Sequence, residues 1–309
     1  MSKINFQMSR SDRPRLELTS RVGCGRRCDY CPQETYIKAY RGQNSGNTAL
    51  TFELIQNISR NIPSNTVISH TGFTEPFDCK DFPKIVNHFA DRNMAQAIST
   101  TLYGFESNQI YFADNLEKFD HGITLHLPDN QKLMKGNFDG AYSDYLDHVL
   151  ANFLSLKERL SNLSLVIFLI GDEFHEAILP IVKKYESRLG EENVHRAAYL
   201  NTRAGLINVQ MFNKKQSTFA RSTDQTFYCS YKRLNRGVLL PNGEVVVCSQ
   251  DYGLKRVIGS LIQSDLNSIY SKIESDPELS AAFLEGRMTP CVDCEHYRTI
   301  DAQATTDRN

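Results

Sequence analysis

The chain has 309 residues, 40% of them hydrophobic, and a formal net charge of -1, enough apolar material for one large domain plus a smaller one at roughly 100–200 residues per domain. Seventeen glycines and ten prolines exclude a fibrous or low-complexity chain, and the near-neutral charge argues against bulk attraction to nucleic acid or an anionic membrane. The longest apolar run, LSLVIFLI at 163–170, falls far short of the roughly 20 residues of a membrane span.

The opening MSKINFQMSRSDRPR lacks the apolar core of a signal peptide. The expectation is a cytoplasmic protein, in which the eight cysteines are metal ligands or reactive thiols before they are disulfides. In chain order, RLELTSRV (15–22), NTVISHTG (65–72), AQAISTTL (95–102), HGITLHLP (121–128), LSLVIFLI (163–170) and VHRAAYLN (194–201) read as six strands, each apolar or β-branched and each followed by a polar turn. Between them LTFELIQNISRN (50–61), KDFPKIVNHFADRN (80–93), YSDYLDHVLANFLSLKERL (142–160) and EAILPIVKKYESRL (176–189) repeat apolar residues at three and four, the spacing of a helix that buries one face. Such alternation predicts an α/β fold, a partial (β/α)6 TIM-like barrel with functional residues at the carboxyl ends of its strands.

After about residue 215 the pattern changes. RGVLLPNGEVVVCSQ (236–250) is two short strands around Pro-Asn-Gly, a hairpin signal. SDLNSIYSKI (264–273), with Ser264 as cap, and DPELSAAFLEGR (276–287), with Asp276 as cap, Pro277 first and Gly286 at the end, read as helices. The expected organisation is a barrel over 1–215 and a small α+β domain, hairpin plus helices, over 216–309.

RVGCGRRCDYCPQE (21–34) places Cys24, Cys28 and Cys31 as C-x3-C-x2-C just after the first strand. Thiolates suit zinc, copper(I) or iron–sulfur clusters. A closed structural zinc site takes four ligands, usually in two pairs, and no histidine lies nearby in sequence; a cubane held by three cysteines keeps one iron free for a small molecule. A second set, Cys229, Cys248, Cys291 and Cys294, follows as C-x13-G-x4-C around Gly243 and then C-x2-C. Taken alone it suits four-cysteine zinc as well as a cluster.

These motifs resemble the radical S-adenosylmethionine enzymes. The resemblance rests on C-x3-C-x2-C after strand one, on Tyr30 directly before the last cysteine, and on GFTEP (72–76) after strand two, similar to the family's Gly-Gly-Glu-Pro with Phe73 and Thr74 in altered positions. It implies a four-iron, four-sulfur cluster on Cys24, Cys28 and Cys31, whose free iron binds S-adenosylmethionine and whose electron cleaves it to a hydrogen-abstracting 5'-deoxyadenosyl radical. It also implies that the GFTEP segment, from Gly72 with Thr74 and Glu75, holds the methionyl amine, that Tyr30 lies near the adenine, and that Ser99, Thr101 and Thr124 meet the rest of the cofactor. The second set resembles the Twitch domain, a shortened SPASM domain, and so implies an auxiliary four-iron, four-sulfur cluster on Cys229, Cys248, Cys291 and Cys294. RVIGSL (256–261) matches its Ile-Gly-Asn-Leu-like turn, and a flavodoxin or ferredoxin is the implied electron donor.

Other residues carry two readings each. Cys79 is a small buried residue or, four residues past Glu75, a hydrogen-donating thiol at the radical site. Arg203 makes a surface ion pair or reaches the barrel mouth to fix a substrate oxygen or the cofactor carboxylate. His70 and His126 flank the rim as hydrogen-bonded or cofactor-packing residues, or as bases. Arg10, Arg13, Arg15, Arg21, Arg26 and Arg27 serve an anionic cluster and cofactor rather than nucleic acid. Four cysteines on the second cluster leave no open iron, so it carries electrons. The expected reaction is hydrogen abstraction from a sugar or cyclitol alcohol, proton loss and transfer of the second electron to the auxiliary cluster, a dehydrogenation similar to that of the Twitch dehydrogenases of aminocyclitol antibiotic assembly. The alternatives are an epimerase using Cys79 and a peptide-modifying maturase.

Overall fold

A computed structural model describes residues 13–43, 46–196, 202–208, 227–229, 235–275 and 297–299. Six strands, β1 (Arg15–Leu18), β2 (Val67–His70), β3 (Gln96–Thr100), β4 (Ile123–His126), β5 (Leu165–Leu169) and β6 (Val194–Arg196), lie side by side in chain order, and each neighbouring pair is parallel. Parallel neighbours need crossovers. These are α1 (Gln33–Gln43) with α2 (Phe52–Ile58), then α3 (Phe82–Asp91), α4 (Glu106–Asp114), α5 (Gly140–Lys157) and α6 (Leu179–Leu189) in the successive gaps. The α/β class read from the sequence is the observed one.

Alternation along the strands separates two faces. Leu125, Ile167 and Leu169 are fully buried in one apolar cluster with Leu146, Val149 and Leu150 of α5 and Ile178 before α6, each worth roughly 1.5–3 kcal/mol against exposure. The alternate positions Ser99, Thr124, His126, Val166 and Phe168 are half-exposed, and the register pairs Ser99 with Thr124, Thr124 with Val166 and His126 with Phe168. Period-two side-chain direction puts these residues on the opposite face, which carries the open side of the barrel.

Three of the C-terminal strands extend the same sheet, while two others pair only with each other. Strand β7 (Phe227–Cys229) precedes them, and β8 (Arg236–Leu239) pairs in parallel with β1, Arg15 opposite Arg236 through Leu18 opposite Leu239. Strands β9 (Glu244–Val246) and β10 (Val257–Ser260) continue outward in antiparallel fashion, completing a nine-stranded sheet. The predicted turn holds Gly243 at φ +85, where a glycine avoids the Cβ penalty. Helix α7 (Leu266–Ser275) is fastened beneath by Tyr270, whose hydroxyl accepts from the Gly237 amide at 2.8 Å and donates to the Arg15 carbonyl at 2.7 Å. Its cap is Asp265, not Ser264: the Asp265 carboxylate accepts from the Ser268 amide at 3.0 Å and its hydroxyl at 2.5 Å, because Asp265 directly precedes the first helical residue. Strand β7 pairs antiparallel with β11 (Tyr297–Thr299), setting Cys229 opposite Tyr297. The boundary near 215, the helix expected over 276–287, Cys291 and Cys294 lie outside the described residues. Among the described residues no helix is long and apolar enough to cross a membrane.

Candidate active site at the carboxyl ends of the strands

The cysteine segment leaves the end of β1 as an irregular loop that runs into α1, with Cys28 buried and Cys24 and Cys31 half-buried. Two of the three sulfurs accept a hydrogen bond. The Arg26 amide points to Cys24 Sγ at 3.5 Å, and Gln33 Nε2 donates to Cys31 Sγ at 3.4 Å. The Tyr252 hydroxyl stands 3.5 Å from the same Cys31 sulfur. Burial pushes the Cys24 thiol up to about 12 and that of Cys28 up to about 11, so without a cation these thiols stay protonated; bound iron inverts that preference.

Among the described residues no three His, Cys, Asp or Glu side chains converge on one ion. A cubane takes each thiolate on a different iron, so its ligands need not share a point, and hydrogen bonds to ligand sulfur are the contacts that tune such clusters. The three-thiol loop, with donors on the Cys24 and Cys31 sulfurs, therefore fits an iron–sulfur cluster better than a single metal ion.

The second segment of the site is GFTEP. Gly72 has φ +45, and a Cβ there would lie 2.5 Å from Thr19 Oγ1 and 2.6 Å from the Leu18 carbonyl oxygen, so only glycine lets this turn press against the end of β1. Phe73 sits between Tyr36 and Tyr252, with ring centroids 5.0 and 4.8 Å away. Thr74 Oγ1 is 3.0 Å from Ser20 Oγ and accepts from the Arg21 amide at 3.4 Å. Gln33 ties the two segments together: Oε1 accepts from the Cys24 amide at 3.2 Å while Nε2 reaches both Cys31 Sγ and the Phe73 carbonyl. The Gly25 amide adds a bond to Asp78 Oδ2 at 3.1 Å.

Glu75 is buried and held by four donors: Thr100 Oγ1 at 2.5 Å and the Phe77 amide at 3.3 Å on Oε1, and the Thr101 amide at 2.8 Å and hydroxyl at 2.7 Å on Oε2. Burial still outweighs these bonds and raises its pKa to about 7. Beside it the half-exposed strand face carries Ser99, Thr124 and His126. His126 Nε2 meets Ser99 Oγ at 3.0 Å, and burial first, then the charge of Arg203, lowers its pKa to about 4. The charge of Arg203 also acts on Tyr252, whose hydroxyl stands beside Cys31.

Cys79 and His70 are both buried in the packed interior. Cys79 lies between the sheet and α3, in a small cavity with Leu18, Leu50, His70 and Phe82, its Sγ directed at the Leu50 carbonyl at 3.5 Å. His70 is not at the rim. It faces the helical layer against Phe82 and Phe119 and bonds Gln96 Oε1 at 2.8 Å, because every residue of β2 is buried. Cys248, half-buried, receives the Gln250 amide at 3.4 Å. Sequence reasoning missed Gln33, Thr100 and Tyr252, and gave Arg26 no specific place. The Arg26 guanidinium is buried 3.3 Å above the Tyr103 ring centroid, with Nε and Nη1 lacking hydrogen-bond partners among the described residues.

Fold and site together define a class: a partial β/α barrel with a cysteine loop after its first strand and an antiparallel extension on the β1 edge. A solved structure of this kind is BtrN in complex with AdoMet and 2-DOIA, similar to this chain with a TM-score of 0.54 and 13% identity, covering 94% of this chain and 95% of that one. Also similar are anSMEcpe with bound AdoMet (TM-score 0.45, 13% identity, 91% and 84% covered) and SuiB of Streptococcus suis bound to the precursor peptide SuiA (TM-score 0.46, 14% identity, 92% and 70% covered). No family model and no curated protein matches the sequence. The likeness to BtrN is one of fold, and it agrees with the radical S-adenosylmethionine resemblance read from the cysteines.

Proposed function

We propose that this chain is a radical S-adenosylmethionine enzyme that dehydrogenates a small alcohol-bearing substrate of the sugar or cyclitol kind. The observation that carries the reading is Gln33, one side chain bonded to Cys24, Cys31 and Phe73, which makes the three-thiol loop and GFTEP a single assembly at the strand ends. When bound, a cluster on Cys24, Cys28 and Cys31 supplies the electron that splits S-adenosylmethionine, and one on Cys229, Cys248, Cys291 and Cys294 accepts the second electron of the oxidation. The fold shared with BtrN, crystallised with AdoMet and 2-DOIA, supports the cofactor class as an analogy of fold.

The chain's own residues then have these roles. Gly72 allows the segment of Thr74 and Glu75 to approach the cysteine loop, where Thr74 Oγ1 and the Glu75 carboxylate hold the methionyl amine, and Tyr30 lies near the adenine. Ser99, Thr101, Thr124 and His126 offer hydroxyls and a neutral imidazole to the remainder of the cofactor and to substrate. Arg203 polarises a substrate oxygen so that the proton on it or on its carbon leaves more readily. The Cys229 strand pairs with Tyr297, three residues after Cys294 in sequence, which supports one four-cysteine set. The epimerase reading needs Cys79 at the substrate; its burial behind β1 and β2 favours dehydrogenation instead. A flavodoxin or ferredoxin serves as electron donor in this reading.

The test is anaerobic, iron-reconstituted protein with dithionite, S-adenosylmethionine and a panel of deuterated sugars and cyclitols. Release of 5'-deoxyadenosine, deuterium transfer into it and a ketone product support the reading. Deuterium uptake from solvent at an inverted carbon replaces dehydrogenation with epimerisation, and absence of 5'-deoxyadenosine from fully loaded protein rejects the enzyme class.

A further inference from the structure

The last cysteine of the loop is touched from 221 residues downstream. Tyr252 belongs to the turn between β9 and β10, on the C-terminal extension, yet its hydroxyl stands 3.5 Å from Cys31 Sγ. Its ring is 5% exposed and packs 4.8 Å from Phe73. The turn that carries it is held from within: Asp251 accepts from the Lys255 amide at 3.0 Å and the Arg256 amide at 2.8 Å, and its own amide donates to the Cys248 carbonyl at 3.0 Å. Gln43 of α1 clasps the far end through the Leu254 carbonyl at 3.2 Å. Tyr252 is thus placed by the turn before anything binds at Cys31.

A phenol is both donor and acceptor, but a metal-bound thiolate only accepts. We propose that Tyr252 is a positioning residue for the radical site: its hydroxyl donates a hydrogen bond to the Cys31 thiolate and raises the reduction potential of the cluster bound there. The inference rests on the cluster assignment of the preceding section. Its physical basis is that a donor on ligand sulfur draws charge off the thiolate and stabilises the more negative, reduced cluster. Gln33 Nε2 donates to the same sulfur, but that side chain also braces the Cys24 amide and the Phe73 carbonyl, whereas Tyr252 can lose its hydroxyl while its ring stays packed. The same turn starts at Cys248, four residues before Tyr252.

The experiment is an EPR-monitored redox titration of the anaerobically reconstituted full chain beside Tyr252→Phe and, as a buried-phenol control, Tyr270→Phe. The relevant signal is the one that added S-adenosylmethionine alters. With iron content equal to wild type, Y252F shifts its potential to more negative values and Y270F does not; an unchanged potential in Y252F overturns the inference. If Y252F fails to retain iron, 3-fluorotyrosine at position 252, a stronger donor of nearly the same shape, must shift the potential positive, and no shift overturns the inference. Failure of the underlying assignment looks different: wild-type protein then holds no cluster that depends on Cys24, Cys28 and Cys31.

Discussion

Thr101 grips Glu75 twice, its amide and its hydroxyl both donating to Oε2 at 2.8 and 2.7 Å. With Thr100 Oγ1 on Oε1, the end of β3 fixes the carboxylate of the GFTEP segment. Removing a hydroxyl leaves a buried oxygen short of a donor, a loss of about 1–3 kcal/mol. Thr100→Val should therefore destabilise the chain by about that amount in urea unfolding, because it leaves Oε1 only the long bond from the Phe77 amide and strips the buried Leu102 amide of its acceptor, and Thr101→Ala by less, because the Thr101 amide still donates to Oε2 at 2.8 Å.

Glu75 also sets a pH dependence. Its folded pKa of about 7 lies above its ordinary 4.5, with burial as the cause, so the native state holds the proton more tightly than the unfolded chain. The resulting contribution is full below about pH 4.5 and is lost as pH rises through 7, by up to ~3 kcal/mol. Glu75→Gln lacks this loss. The stability of E75Q relative to wild type should rise between pH 5 and 8, measured by urea midpoints at each pH; a constant difference contradicts the prediction.

His70 works in the opposite direction. Burial lowers its pKa from 6.5 to about 4, so the neutral ring stabilises the fold above about pH 6.5 and that contribution is lost as pH falls toward 4. His70→Gln, which can still donate to Gln96 Oε1, should flatten the acid side of the stability profile in thermal melts from pH 7 to 4.

Gly72→Ala adds a Cβ against Thr19 Oγ1 and the Leu18 carbonyl at a φ of +45. We expect a destabilisation above about 1 kcal/mol, since an alanine at an incompatible backbone position costs more than the entropy it saves. The reconstituted variant should also hold less iron, because the turn no longer closes on the cysteine loop.

Strands β1 to β6 and helices α2, α3, α5 and α6 were legible because each shows its period in apolar residues. Helix α1 was not: its buried face is Tyr36 and Tyr40, spaced by four but embedded among polar residues. Helix α4 gives no apolar stripe, and its buried Asn108 spends its amide on the Phe77 and Cys79 carbonyls. The cysteine loop and GFTEP were visible as motifs, since their spacing is local. Tyr252 was invisible, because the parallel pairing of β8 with β1 that brings its turn to Cys31 joins residues more than two hundred apart and leaves no periodic trace. The same holds for His70, whose face depends on which layer β2 packs against.

The most direct test of the central claim is iron and acid-labile sulfide content, with Mössbauer spectra, of anaerobically prepared protein and of a Cys24→Ala, Cys28→Ala, Cys31→Ala variant. The account predicts about eight irons per chain in cubane clusters, falling to about four in the variant. A wild-type chain with no cubane iron, or iron content unchanged by removal of the three thiols, would contradict it.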